Sequence, residues 1–159
     1  MDVEARKKTL RMFSNGIYII TSRSGDQYGG ATVSWVSQAS FKPPLVMAAI
    51  RKESNVFRCM KESGKAVIHV LGSDQRELAQ RFFTPTKVDA GLMNSEPFHL
   101  GKTSLPVLES APAYVECCVR GALDDLGDHA VVVLEVLEAE WFSAVHPLTM
   151  TESPWEYGG

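Results

Sequence analysis

Short turn signals cut this sequence into β-branched and apolar runs that follow one another directly, and that spacing restricts the possible folds more than any other feature. Gly16 to Ser22 carries Ile17, Tyr18, Ile19, Ile20 and Thr21 and runs into the turn Ser24-Gly25-Asp26. Ala31 to Gln38 reads as the next strand. Phe41-Lys42-Pro43-Pro44 then excludes helix and turns the chain into the apolar strand Pro44 to Ile50. Towards the other end, the strands Ala113 to Leu123 and His129 to Phe142 are joined by Asp124-Asp125-Leu126-Gly127-Asp128. Strands joined this tightly pair antiparallel. With Lys65 to Leu71 as a further strand, about six or seven strands and two or three short helices define a mostly β chain, an antiparallel barrel with helices packed on it. The βαβ rhythm of a doubly wound parallel sheet is missing.

Three helices are expected. Val3 to Phe13 reads as a short amphipathic helix, stopped by Ser14-Asn15-Gly16. Asn55 to Ser63 places Val56, Phe57 and Met60 on one face, with Ser54 or Asn55 as N-cap and Gly64 as the stop. Asp74 to Phe83 is opened by Ser73 or Asp74, with Glu77 at capping-box spacing, and closed by Thr84-Pro85. Residues 87 to 112 show little periodicity and are expected as a long irregular excursion, and His146 to Gly159 as an extended tail. The 159 residues read as one domain, with 1–14 as an N-terminal helix and 146–159 as the tail.

The charge balance narrows the partners. Sixteen Lys plus Arg against nineteen Asp plus Glu give a net charge of -3, and no basic block is present to track a phosphate backbone, so nucleic acid is not expected. The longest apolar runs fall far short of the roughly 20 residues of a membrane span. The first ten residues lack the apolar core of a signal peptide, and Cys59, Cys117 and Cys118 form no disulfide framework, so a cytoplasmic protein with no membrane partner is expected.

No P-loop, dinucleotide fingerprint, nucleophile elbow or H-E-x-x-H motif occurs, and His69, His99, His129 and His146 stand singly, so no metal site is expected. Three features remain. Gly29 to Ser40 concentrates Thr32, Ser34, Ser37, Gln38 and Ser40 beside two glycines, where a flat polar ligand can approach the backbone; an edge strand with a polar face explains the same residues equally well. Arg51-Lys52-Glu53-Ser54-Asn55 opens a helix directly after an apolar strand, a combination of cations, hydroxyl and free N–H groups that suits a phosphate. Gly127-Asp128-His129 places a histidine at a strand mouth, which turn chemistry alone accounts for.

In order along the chain, these residues resemble the flavin reductase-like family. The resemblance runs from Asn15-Gly16-Ile17-Tyr18-Ile19-Ile20-Thr21 through Gly30-Ala31-Thr32-Val33-Ser34 and Gln38-Ala39-Ser40-Phe41-Lys42-Pro43-Pro44-Leu45-Val46. It continues through Lys52-Glu53-Ser54-Asn55, Ser63 to Leu71 and Gln75 to Phe82, and ends at Gly127-Asp128-His129. It implies the FMN-binding split β-barrel, an antiparallel Greek-key-type barrel, and a homodimer with flavin near the subunit interface. FMN is the implied cofactor ahead of FAD, with NADH or NADPH as co-substrate. By the same resemblance Thr32, Val33, Ser34 and Trp35 run along the isoalloxazine and ribityl chain, with Ser37 and Gln38 beside them. Ala49, Arg51, Lys52, Ser54 and Asn55 hold ribityl and phosphate, Phe82 and Lys87 add contacts, and Gly127, Asp128 and His129 form the nicotinamide side, His129 orienting the reduced nucleotide.

A flavin carries the redox chemistry itself, which agrees with the missing catalytic triad. The implied function is a flavin-dependent oxidoreductase in which NAD(P)H reduces FMN and electrons pass to oxygen, free flavin, a redox partner protein or a flavin-dependent monooxygenase. An FMN-binding electron-transfer module of the rubredoxin- or flavodiiron-linked kind, without NAD(P)H activity, is the alternative. A barrel with another planar ligand, or none, is a third. Trp35, Trp155 and Tyr157 are aromatic enough to cover a ring or simply to pack.

Overall fold

The computed structural model describes all 159 residues. Its frame is a seven-stranded antiparallel sheet. The strands are β1 (Tyr18–Ser24), β2 (Gln27–Val33), β3 (Val36–Ser40), β4 (Leu45–Arg51), β5 (Lys65–Val70), β10 (Ala113–Leu123) and β11 (His129–Trp141), in the spatial order β2-β1-β5-β10-β11-β4-β3. The two edge strands, β2 and β3, are neighbours in sequence with only Ser34 and Trp35 between them. A sheet whose outer edges are joined by two residues must curl until those edges meet, so the sheet closes into a barrel split between β2 and β3. The single strand expected over Ala31 to Gln38 is therefore two strands on opposite edges. The break falls at Ser34-Trp35, where closure takes the chain from one edge to the other.

Alternation along the strands builds two cores. Ile20, Ala48, Ile50, Ile68, Ala130, Val132 and Leu134 point into the barrel. Helix α2 (Asn55–Ser63) closes one end of that interior with Val56, Phe57 and Met60. Its ends are as expected: the Ser54 hydroxyl accepts from Phe57 N–H, and Gly64 takes the left-handed conformation at φ 69°. A Cβ on Gly29 would lie 2.5 Å from Val56 Cα, so only glycine lets β2 run this close to the helix. Ile17, Ile19, Leu71, Leu78, Phe82 and Leu148 form the second core, outside the barrel.

Several elements depart from expectation. Helix α1 (Val3–Arg11) is capped by Asp2 and buries no residue; its apolar positions Val3 and Leu10 face solvent. Helix α3 (Arg76–Arg81) is shorter than expected. No capping box forms, because Gln75, not Ser73 or Asp74, stands at the cap, and its amide oxygen accepts from Gly72 N–H. The segment 87–112 is not irregular. It folds into β6 (Val88–Asp89), β7 (Leu92–Met93), β8 (Glu96–Leu100) and β9 (Pro106–Leu108), a second small sheet whose turns place Ala90, Asn94, Ser95 and Ser104 at positive φ. The tail is extended but fastened, with bridges from Pro147 to Gly72 and from Thr149 to Gly16. No helix is long and apolar enough to cross a membrane.

Candidate functional site

Closure of the barrel brings separate stretches of chain to one end of the strands. Ser34 and Trp35 cross the split, Ala49 N–H donates to the Trp35 carbonyl at 2.9 Å, and Arg51 pairs across the sheet with His129. Helix α2 begins a few residues on. Opposite them, the chain leaving α3 runs along β2: Phe82 O accepts from Thr32 N–H, and the Thr86 hydroxyl meets Gly30 N–H at 2.9 Å. A cavity of about 860 Å³ lies between these two walls. A Cβ on Gly30 would come within 2.9 Å of the Phe82 ring, so glycine there keeps the floor flat.

Among the residues expected from sequence, Thr32, Val33, Ser34, Trp35 and Ala49 line this cavity, as do Arg51, Ser54, Asn55, Phe82 and His129. Ser37, Gln38, Lys52, Lys87, Gly127 and Asp128 do not. Ser37 and Gln38 lie on the edge strand β3 and bond their own neighbouring carbonyls, Lys87 N–H is held by Asn94, and Lys52 N–H donates to the Asp128 carbonyl. Asp128 is nonetheless joined to the site through His129. Thr84, Pro85 and Thr86 complete one wall, and Trp155, Glu156 and Tyr157 reach across from the tail. Nothing in the local pattern marks the 84–86 wall, because it is set by the packing of α3 beside β2.

The donor set suits an anionic, planar, hydroxylated ligand. Ser34 is 7% exposed and its hydroxyl makes no hydrogen bond within the chain, so its polar valence is open to the cavity. The N–H groups of Asn55 and Val56 lie in the first turn of α2, with no preceding helical carbonyl to receive them, at the positive end of the helix dipole and beside Arg51. Thr32 and Ser54 are engaged otherwise: their hydroxyls donate to Ala79 O and Arg51 O. Their contribution is to fix the wall and the helix start.

His129 closes the cavity on the remaining side. Its Nδ1 lies 2.7 Å from Asp128 Oδ1 and its Nε2 2.8 Å from the Tyr157 hydroxyl. An ionised carboxylate only accepts, so Nδ1–H donates to Asp128, and Nε2 shares the second hydrogen bond with the Tyr157 hydroxyl. The hydrogen bond from His129 holds the Asp128 carboxyl below the usual range. The Tyr157 hydroxyl beside Arg51 holds the guanidinium's proton more tightly. The Trp35 ring packs against both, 4.7 Å from His129 and 5.1 Å from Tyr157, centroid to centroid.

The class defined here is a split β-barrel with a cavity at the split, where Ser34, Arg51 and the start of α2 meet. The chain belongs to the flavin reductase-like domain family, whose profile matches residues 10–154. It is 31% identical over 150 residues to diflavin flavoprotein A 1 of Synechocystis, a match covering 88% of this chain and 25% of that protein. The chain thus spans about a quarter of the length of such diflavin relatives. To the FMN reductase (NADH) SmoA of Agrobacterium fabrum it is 31% identical over 133 residues, covering 84% of this chain and 74% of that one. The fold is shared with a flavin reductase domain protein of Arthrobacter, at a TM-score of 0.78 and 24% identity over 94% of this chain and 95% of that chain.

Proposed function

We propose that this chain is an NAD(P)H:flavin oxidoreductase that binds FMN in the split-barrel cavity. The observation that carries the reading is the conjunction, on one cavity wall, of the unpartnered Ser34 hydroxyl with Arg51 and the open first turn of α2. Ser34 and Trp35 would hold the ring and ribityl chain, and Arg51 with the Asn55 and Val56 N–H groups the phosphate. One phosphate cradle favours FMN over FAD, in keeping with the FMN and NADH in the name of the SmoA relative. Flavin held there would supply the redox chemistry, hydride acceptance from the reduced nicotinamide and electron delivery to oxygen, free flavin or a partner protein such as a monooxygenase.

The chain's own part is to position. His129, fixed by Asp128, lines the cavity and would orient the nicotinamide amide through Nε2 in place of the Tyr157 hydroxyl. A homodimer belongs to the same reading, supported by an exposed apolar strip on the outer barrel face. So does a reducing, cytoplasmic setting, in which Cys59, Cys117 and Cys118 remain free thiols. The electron-transfer module is the second reading, favoured by the much longer diflavin relatives, in which the matching stretch is one part of a larger chain.

Absorption spectra separate the two. The purified protein with FMN should show bound-flavin bands between about 300 and 550 nm that bleach on anaerobic addition of NADH, and His129→Ala should slow the bleaching about 10²-fold. Ser34→Ala should raise the FMN Kd about fivefold, the worth of one hydrogen bond. Bands that persist with NADH mean the electron-transfer module; no uptake of FMN overturns the flavin reading.

A further inference from the structure

The tail is held in two different ways. As far as Ser153 the backbone is stitched to the body: Leu148 is buried, its N–H donates to Leu71 O and its carbonyl accepts from Ile17 N–H, and Met150 N–H donates to Asn15 O. Beyond Ser153 that stitching stops. Residues 154–159 are held by side chains instead, with Trp155 edge-on to Phe83 and Tyr157 on Trp35 and His129. One residue of α1 supplies the fastening: Arg11 Nη1 lies 2.7 Å from Glu156 Oε2, and Arg11 Nε donates to Gly158 O at 3.0 Å. Glu156 is largely exposed, and α1 itself buries no residue, so two surface elements hold each other.

What this segment covers is the reactive side of the cavity. The Tyr157 hydroxyl takes the Nε2 valence of His129 and stands beside Arg51, while its ring covers Trp35. Those are the groups a reduced pyridine nucleotide would engage. We propose that residues 154–159 are a latch, closed over the cavity by Arg11, whose Tyr157 holds the place of the pyridine nucleotide and must leave before that ligand binds. The naming of the ligand rests on the function proposed above. Surface contacts of this kind are weak and screened by salt, so the closed and open forms lie within reach of each other, and the latch reduces apparent affinity in proportion to the open fraction.

Arg11 lies outside the cavity and is the residue to change. In Arg11→Ala, chymotrypsin should cut after Trp155 and Tyr157 several-fold faster than in the wild type, and the KM for NADH with FMN bound should fall about threefold to tenfold with kcat unchanged. Tyr157→Phe, which keeps the ring and removes the hydroxyl, should move KM in the same direction. NAD⁺ added to the wild type should speed cleavage. Cleavage unchanged in Arg11→Ala, or a KM that stays or rises, overturns the latch. If NADH never bleaches the flavin, the functional reading fails on its own. The latch is then judged by the cleavage rate alone, and a rate unchanged in Arg11→Ala refutes closure.

Discussion

His69 shows how much one side chain settles in this fold. It is wholly buried on β5, its Nε2 receives the Leu108 N–H at 3.1 Å, and its Nδ1 lies 3.0 Å from Ile19 O. A nitrogen that accepts from an amide carries no proton, so Nδ1–H donates to Ile19 O and the ring is neutral. Burial pushes its pKa down to about 4, against the ordinary 6.5, despite the raising effects of the Ile19 carbonyl and Glu116. The unfolded chain therefore takes up this proton first, and the stability held by neutral His69 is complete above pH 6.5 and lost as pH falls towards 4. That loss amounts to about 3 kcal/mol. Urea midpoints at pH 7 and pH 4.5 should separate more for the wild type than for His69→Gln, and equal separations would exclude His69 as the source. From sequence, His69 was one of four scattered histidines; its partners arrive from β1 and β9, which no local pattern brings together. Ser34 and Arg51, by contrast, were legible as residues, because a hydroxyl beside glycines and a cation before a helix keep their chemistry whatever the tertiary setting.

At the scale of elements, legibility followed the range of the forces that set each boundary. Helix α2 was readable at both ends because Ser54 and Gly64 act within one turn. The break at Ser34-Trp35 was not, since residues 31 to 38 are all acceptable in a strand and only closure of the sheet interrupts them. The 87–112 sheet escaped because its strands are two to five residues long, too short to display a period. Helix α2 also serves both fold and site, and two substitutions at Ser54 should separate those roles. Ser54→Ala removes the cap on Phe57 N–H and should cost about 1 kcal/mol in urea unfolding. Ser54→Asp can still cap the helix, so stability should hold, but it brings a carboxylate to the end of the cavity proposed to take the phosphate and should raise the FMN Kd at least tenfold by like-charge repulsion. Equal effects of Ala and Asp on both readouts would mean that the helix start is structural only.

For the whole molecule, the barrel leaves one face unaccounted for. Along β11 the residues alternate: Ala130, Val132 and Leu134 are buried, while Val131 is 39% exposed. The register sets Val131 opposite Ala49 on β4 and Leu123 on β10, and Val133 opposite Met47, so Met47, Val131 and Leu123 share the outward face, Met47 and Leu123 being 44% and 58% exposed. Leu126 in the adjoining turn is 81% exposed. An antiparallel sheet with one face on the core ordinarily turns polar residues outward, so an apolar strip here is suited to burial against a second copy. A two-fold pairing across it would be isologous, and the strip runs up to His129 at the start of β11, which would place each interface beside a cavity. Val131→Lys puts a charge at the centre of that strip, outside the inner core, at a residue that does not itself line the cavity although its cross-strand partner Ala49 does. Light scattering should then report a dimer for the wild type and a monomer for Val131→Lys, with the thermal transition of the monomer lower and dependent on concentration only in the wild type. A wild type that is monomeric at micromolar concentration would remove the dimer and leave the apolar strip without a partner of its own kind.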